Sequence, residues 1–271
     1  MAMTATLERI EVNGTPAGVE DLRALAQTNY GHFSAMQVVD GCVRGLDLHL
    51  ERIERATREL FGTTIDRERV RVCLRHAVAG SADPLAVRVN VFARALNRTR
   101  PAEPVDADIL VMTARPSRPA PAPLRVKSFR YARDLPQTKH VGTFPLFHYR
   151  RLAQQAGFDD ALFVDADGCV SEGSIWNVGF FDGAGVVWPD APQLTGVSMQ
   201  LLQAGLARNG LRSSVKRIGI DDVGRFRAAF FTNSSTPVQA IASIDAVGLA
   251  PDPALIATLM ASYESNPLQR I

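Results

Sequence analysis

The chain has 271 residues, 46% of them hydrophobic, and 30 lysines and arginines against 28 aspartates and glutamates, a net charge of +2. That is enough apolar content to bury a real core in one large or two modest domains, and the interleaved charges leave no dense basic strip of the kind a nucleic-acid groove needs. Three widely spaced cysteines, Cys42, Cys73 and Cys169, form no Cys-x-x-Cys pair, which argues against a disulfide frame or a zinc site and for the reduced thiols of a cytoplasmic protein.

The opening MAMTATLERIEV turns polar before an apolar run can build, so no signal peptide is expected, and no apolar stretch reaches the roughly 20 residues of a membrane span. ERIEVNGTPA reads as a strand and a tight turn at Asn13-Gly14, and FSAMQVVDGCVRG as a hairpin turning at Asp40-Gly41. In DLHLERIERATRELFG the residues Leu46, Leu50, Ile53, Ala56 and Leu60 recur at helical spacing, with Gly62 as the stop. LAVRVNVFARA alternates and predicts a strand. ARPSRPAPAP, from Ala114 to Pro123, carries four prolines, excludes helix and reads as a linker over 116–123 between domains 1–115 and 124–271.

Beyond it, PLRVKSFRYA reads as a strand and GTFPLFHYRRLAQQAG as a helix. DALFVDADGCVSEGSIWNVGFFDGAGVVW offers three or four short strands with turns at Asp167-Gly168 and Asp182-Gly183. GVSMQLLQAGLARNG is a helix closed by Gly210, and RAAFFTNSSTPVQAIASID gives two strands broken by a polar turn. Strands cluster with helices between the clusters, which predicts an α+β fold with mainly antiparallel sheets.

Five polar features stand out, each with an ordinary reading beside a chemical one. Lys139 stands where a strand hands over to a helix; it is either a solvated charge or a nucleophile, a role that arginine cannot take. Glu172 in GCVSEGSIWN is either a turn residue or a working carboxylate. Gly196-Val197-Ser198 opens a helix, as a plain cap or as an anion site made of free backbone N–H groups. FTNSSTP is a loop or a set of hydroxyl and amide ligands, and Arg52 either pairs with Glu51, Glu54 or Asp47 on its helix or grips an anion. Together these are the parts that pyridoxal 5'-phosphate needs: an amine for its aldehyde, a carboxylate to keep the pyridine nitrogen protonated, and a helix amino terminus, hydroxyls and a cation for its phosphate.

The order and spacing resemble the fold-type IV pyridoxal-phosphate enzymes, or class IV aminotransferases, which include branched-chain and D-amino-acid aminotransferases and aminodeoxychorismate lyases. The residues that carry the resemblance are KHVGTFPLFHYRRLAQQAGFDDALFVDADGCVSEGSIWNVGFF, then LTGVSM at Leu194–Met199 and RGLDLHLERI in the first half, over about Phe33 to Ile241. The resemblance implies a small α/β domain on the substrate side and a larger domain with mainly antiparallel strands that carries the lysine. It also implies a cofactor cleft between them and a homodimer in which the small domain reaches the partner's site. It makes Lys139 the Schiff-base lysine and Glu172 the partner of the pyridine nitrogen. The phosphate falls to Arg52, Gly196, Val197, Ser198 and Ser234, and the substrate side to Phe33, Arg88, Trp176 and Ser235.

The chain departs from the family pattern at several points. Ser34 and Gln37 stand for a usual Glu and Arg, Ala86 for Tyr, Gly142-Thr143 for Asn-Tyr, Trp176 for a small residue and Met199 for Arg. The expected Tyr position is Thr28, unless a two-residue gap moves Tyr30 there, and the loop before Thr236-Pro237 is about three residues short against the family's pattern. These positions are expected near the substrate, so cofactor chemistry is better marked than any substrate. The implied activity is an aminotransferase using an amino donor and a keto-acid acceptor. The alternatives are an aminodeoxychorismate-type lyase and a non-catalytic cofactor-binding protein. A serine hydrolase is excluded by the lack of a Gly-x-Ser-x-Gly turn.

Overall fold

The computed structural model describes residues 7–81, 84–116 and 122–271; most of the proline-rich stretch expected as a linker over 116–123 lies outside the described residues. The chain forms two compact units. The first holds the part before the proline-rich stretch together with Thr138–Gly142 and Leu268–Ile271, and the second holds the remainder.

In the first unit, β1 (Leu7–Val12) and β2 (Thr15–Pro16) flank a turn in which Asn13 and Gly14 have φ of 51° and 82°, the left-handed pair a two-residue hairpin requires. After α1 (Val19–Gln27), the hairpin of β3 (His32–Val39) and β4 (Cys42–Arg44) turns in the same way at Asp40-Gly41. α2 (Leu46–Phe61) stops on Gly62 in the left-handed conformation. α3 (Arg67–Val78) is capped by the Asp66 carboxylate, which accepts from the Glu68 N–H. β5 (Leu85–Phe92) and β6 (Asp108–Ala114) complete an antiparallel sheet ordered β4-β3-β5-β6-β1-β2.

Alternation along β3 and β5 sorts their side chains onto two faces. Met36, Val38, Val87, Val89 and Val91 join Leu46, Leu50, Ile53 and Leu74 of α2 and α3 in one core. Phe33, Ala35 and Gln37 pair across the strands with Asn90, Arg88 and Ala86 on the opposite face.

The second unit contains β7 (Leu124–Arg130), α4 (Phe144–Gln155), β8 (Asp160–Val164), β9 (Val170–Gly173), β10 (Asn177–Phe181), β11 (Val186–Pro189), α5 (Val197–Arg208), β12 (Ser213–Lys216), β13 (Ala228–Thr232), β14 (Gln239–Ile244), β15 (Val247–Gly248) and α6 (Pro253–Glu264). The pairings run β10-β13-β14-β7-β8-β9, and β9 then pairs back onto β10 through Glu172 opposite Asn177, so this ring of strands closes on itself. Most pairs are antiparallel as expected; β7–β8, β11–β12 and β14–β7 are parallel. The first two of these arise because α4 and α5 act as crossovers, which parallel neighbours need.

Val126, Leu162, Val170, Val178 and Phe180 belong to one core of this unit, and Trp188 and Phe230 pack with Leu202, Leu206 and Leu259 of α5 and α6 in another. The last strand, β16 (Leu268–Arg270), pairs with β4 in the first unit. Among the described residues no helix is long and apolar enough to cross a membrane.

One expected boundary is corrected. Lys139 was expected in the second domain, but its segment belongs with the first unit. The cause is backbone pairing: Phe33 N–H donates to the Lys139 carbonyl at 2.9 Å, Val141 N–H donates to the Gly31 carbonyl at 2.9 Å, and His32 bridges His140.

Candidate active site

In the first unit three expected site residues meet around one ring. The Lys139 amine lies 4.9 Å from the centroid of Phe33, and the Arg88 guanidinium carbon lies 3.7 Å from the same centroid. Both are cation–π contacts, favourable because the face of the ring is electron-rich. Arg88 Nε also donates to Asn90 Oδ1 at 2.7 Å. The loop after the lysine is tied locally, with Gly142 N–H donating to His140 Nδ1 at 3.1 Å. A Cβ at 142 would lie a tight 3.0 Å from that imidazole.

On the helix-facing side of β3, the Arg52 side chain is buried and donates from Nη2 to Ser34 Oγ at 2.6 Å and to His49 Nδ1 at 3.3 Å. Arginine has no lone pair to offer, so the Ser34 hydroxyl accepts from it and gives its own proton to His49 Nδ1, 2.8 Å away. His49 therefore carries its proton on Nε2. Burial, then the charges of Arg52 and Lys139, hold its pKa well below the ordinary histidine value. His32, bonded to Thr57 Oγ1 at 3.0 Å, is lowered to about 3, by burial first and then by Arg52. Arg52 thus turns to Ser34 and His49, where one sequence reading had it paired with acids along its own helix.

In the second unit Glu172 is buried at the closure of the strand ring. Its Oε2 accepts from Leu194 N–H at 3.3 Å, and Arg133 Nη1 lies 3.6 Å from Oε1, with both side chains 5% exposed. Asn177, across from Glu172, donates to Leu194 O at 2.7 Å and to Gln193 Oε1 at 3.1 Å, and so ties down the loop that enters α5. At Gly196 a Cβ would collide with Asn177 Oδ1, so only glycine lets the loop approach this closely. Gly196 offers α5 no side-chain cap, and Val197 and Ser198 are buried. The first amides of α5 and the Ser198 hydroxyl are the donor set an anion takes at a helix start.

The polar turn after β13 is organised by Asn233. Its Oδ1 accepts from Ser235 N–H at 3.0 Å, Ser235 Oγ at 2.9 Å and Thr236 N–H at 2.8 Å. The Ser235 hydroxyl, expected on the substrate side, is thereby occupied in the turn, and Ser234 is half-buried beside it. Thr232 is fully buried, and its hydroxyl has no hydrogen-bond partner among the described residues. It lies within the quoted FTNSSTP stretch, although only Ser234 and Ser235 there were given roles.

Two positions expected near the substrate lie in cores. Trp176 is 3% exposed and donates from Nε1 to Asp160 Oδ2 at 2.9 Å, because the buried indole N–H needs an acceptor and Asp160 supplies it. Met199 packs with Trp188, Leu202 and Leu206. Conversely, Arg133, Asn90 and His49 were not singled out. Arg133 sits in YARDLPQTK with no local signal, whereas His49 lies inside the quoted LDLHLERI block.

These residues fit pyridoxal phosphate by the chemistry of their donors: a lysine amine, a buried carboxylate backed by a cation, an uncapped helix start behind an obligatory glycine, and a buried arginine. The chain matches the model of the amino-transferase class IV family over residues 31–244, and it belongs to that family. It is 29% identical over 97 residues to a probable branched-chain-amino-acid aminotransferase of Rickettsia felis (strain ATCC VR-1525 / URRWXCal2), a match spanning 35% of this chain and 33% of that relative. Its fold is that of the branched-chain aminotransferase of the thermophilic archaeon Thermoproteus uzoniensis, solved with norvaline, at TM-score 0.84 and 16% identity over 95% of this chain and 94% of the other. A putative 4-amino-4-deoxychorismate lyase from Legionella pneumophila is similar at TM-score 0.81 and 19% identity, covering 93% and 96% of the two chains.

Proposed function

We propose that the chain is a pyridoxal-phosphate-dependent aminotransferase that moves an amino group from an acid-bearing donor to a keto acid. Bound pyridoxal phosphate supplies an aldehyde that exchanges amines and a ring that takes up electrons from the donor's Cα. Lys139 would be the amine that carries the cofactor's aldehyde, and its Nζ would be the base that moves the proton at the donor's Cα. The Glu172 carboxylate, with Arg133 as its counter-charge and Leu194 N–H orienting it, would keep the ring nitrogen protonated. Arg52, the amides of Val197 and Ser198, and the hydroxyls of Ser198 and Ser234 are assigned to the phosphate, and Arg88 to the donor's acid group. A cytoplasmic homodimer is part of this reading.

The observation that carries it is Glu172, a carboxylate buried beside Arg133 at the closure of the strand ring, in a chain of this family. The similarity to the Legionella protein keeps a lyase as a second reading. A spectrum of the protein loaded with pyridoxal phosphate is expected to show absorbance above that of the free aldehyde in the visible to near-ultraviolet. Amino donors assayed with and without a keto-acid acceptor then separate the readings. Product that requires the acceptor supports the transferase, pyruvate released without one supports the lyase, and a protein that binds no cofactor overturns both.

A further inference from the structure

Arginines in this chain are commonly given carboxylates. Arg94 pairs with Asp21 and Asp108, Arg71 with Asp47, and Arg150 with Asp160. Arg88 is the exception that matters. It stands half-buried on the face of β5 opposite the helices, and its Nε is held by the neutral amide of Asn90 at 2.7 Å. Asn90 is itself only 7% exposed, and the guanidinium carbon of Arg88 lies 3.7 Å from the Phe33 ring centroid. Among the described residues no carboxylate pairs with Arg88. Burial is the one cause shifting its pKa, downward, with no offset from a neighbouring acid.

Asparagine and aspartate have the same shape. A carboxylate at position 90 would hold the guanidinium with the same geometry and add the favourable charge that a buried arginine ordinarily receives. The amide holds without neutralising. On the same ring, 4.9 Å from its centroid, lies the Lys139 amine. A positioned and still fully cationic guanidinium therefore shares one aromatic surface with the nucleophile.

We propose that Asn90 is a specificity-determining residue, one that fixes Arg88 on the Phe33 ring while leaving its positive charge to the carboxylate of an amino donor. This rests on the assignment of Arg88 to the donor made above, and Asn90 acts through Arg88 as a positioning residue.

The test is a calorimetric titration of the cofactor-loaded protein with 4-methylpentanoate, a carboxylate without an amine, on wild type, Asn90→Asp and Asn90→Ala. If the charge is reserved for the ligand, Asn90→Asp weakens binding about tenfold to a hundredfold, the worth of one hydrogen bond to a charged group. Asn90→Ala, which removes the tether and keeps the charge, weakens it less. A purely structural asparagine predicts the reverse order, because Asp is the isosteric replacement and Ala the disruptive one. The KM for an α-amino acid donor should follow the dissociation constant across the three proteins, while the cofactor absorbance stays that of wild type. Wild-type affinity in Asn90→Asp, a greater loss in Asn90→Ala, or no binding of the acid by the wild type would each overturn the proposal. A wild type without cofactor absorbance would instead overturn the enzyme assignment, and the same titration on the unloaded protein would still decide the role of Asn90.

Discussion

At the junction of α4 and β8, Arg150 donates to both oxygens of Asp160, at 3.0 and 2.6 Å, and the same carboxylate accepts from Ser174 at 2.7 Å and from Trp176 at 2.9 Å. On the outer face of β5, Arg88 is held as firmly, but by an amide and an aromatic ring. Both arginines are half-buried, and both are fixed. The difference is whether the charge is cancelled inside the protein. Where it is cancelled, the arginine joins helix to sheet and completes the hydrogen bonds of a buried carboxylate. Where it is retained, the half-buried guanidinium relies on water or on a bound anion to offset its partial burial. The charge of the partner, more than burial or geometry, separates a structural arginine from a receptive one.

That contrast implies that the two kinds of site fail differently when altered: one loses activity, the other stability. The largest effect is expected for Lys139→Ala, which should abolish turnover and the cofactor's shifted absorbance while leaving the urea midpoint close to wild type. Borohydride should then trap no cofactor on the variant; trapping would shift the role to Lys127 or Lys216, the other lysines of the chain. Glu172→Gln should lower kcat by about a hundredfold or more with cofactor still bound, since a neutral amide cannot hold the ring proton as a carboxylate does. A near wild-type kcat would return Glu172 to the status of a turn residue.

On the structural side, Asp160→Asn should cost about 2–3 kcal/mol in urea unfolding, by weakening a partly exposed ion pair and leaving donors of Ser174 and Trp176 competing for one oxygen. The variant that remains folded should keep the cofactor spectrum. Lost cofactor binding at unchanged stability would break the division drawn here.

The smallest effect belongs to the helix-facing side of β3. His32 is held at about 3 and His49 is also held well below the usual range, both by burial first. Their folded-state pKa values lie below the unfolded value near 6.5, so the unfolded chain takes up protons first as pH falls. Stability from these two groups is complete above about pH 6.5 and declines toward pH 3, each histidine contributing a slope of about 1.4 kcal/mol per pH unit. Denaturation at several pH values should show a shallower slope between pH 6.5 and 5 for His32→Asn than for wild type. Equal slopes would mean that His32 is not neutral in the folded chain.

Much of the frame was legible in the residues. Asn13-Gly14 and Asp40-Gly41 turned the hairpins as read, Gly62 closed α2, and the alternation in LAVRVNVFARA became β5. These signals are local, since left-handed φ and side-chain period depend on neighbours in sequence. Others were present and passed over: Asp66 ahead of α3, and Asp252-Pro253, which cap and open α6. The spacing of Lys139, Glu172 and Gly196-Val197-Ser198 also carried the resemblance to the family to which the chain belongs.

Tertiary structure alone decided the company each residue keeps. No local pattern could assign the Lys139 segment to the unit of β3, because the choice lies in backbone bonds to Gly31 and Phe33, more than a hundred residues upstream. Trp176 looked like a pocket wall and became core, since Asp160 was there to accept its N–H. Arg133 met Glu172, and Arg88 met Asn90 in place of an acid. Sequence determined which charges this protein has and how its strands turn. Only the packed chain determined which of those charges are neutralised, because that depends on distances that no spacing along the chain encodes.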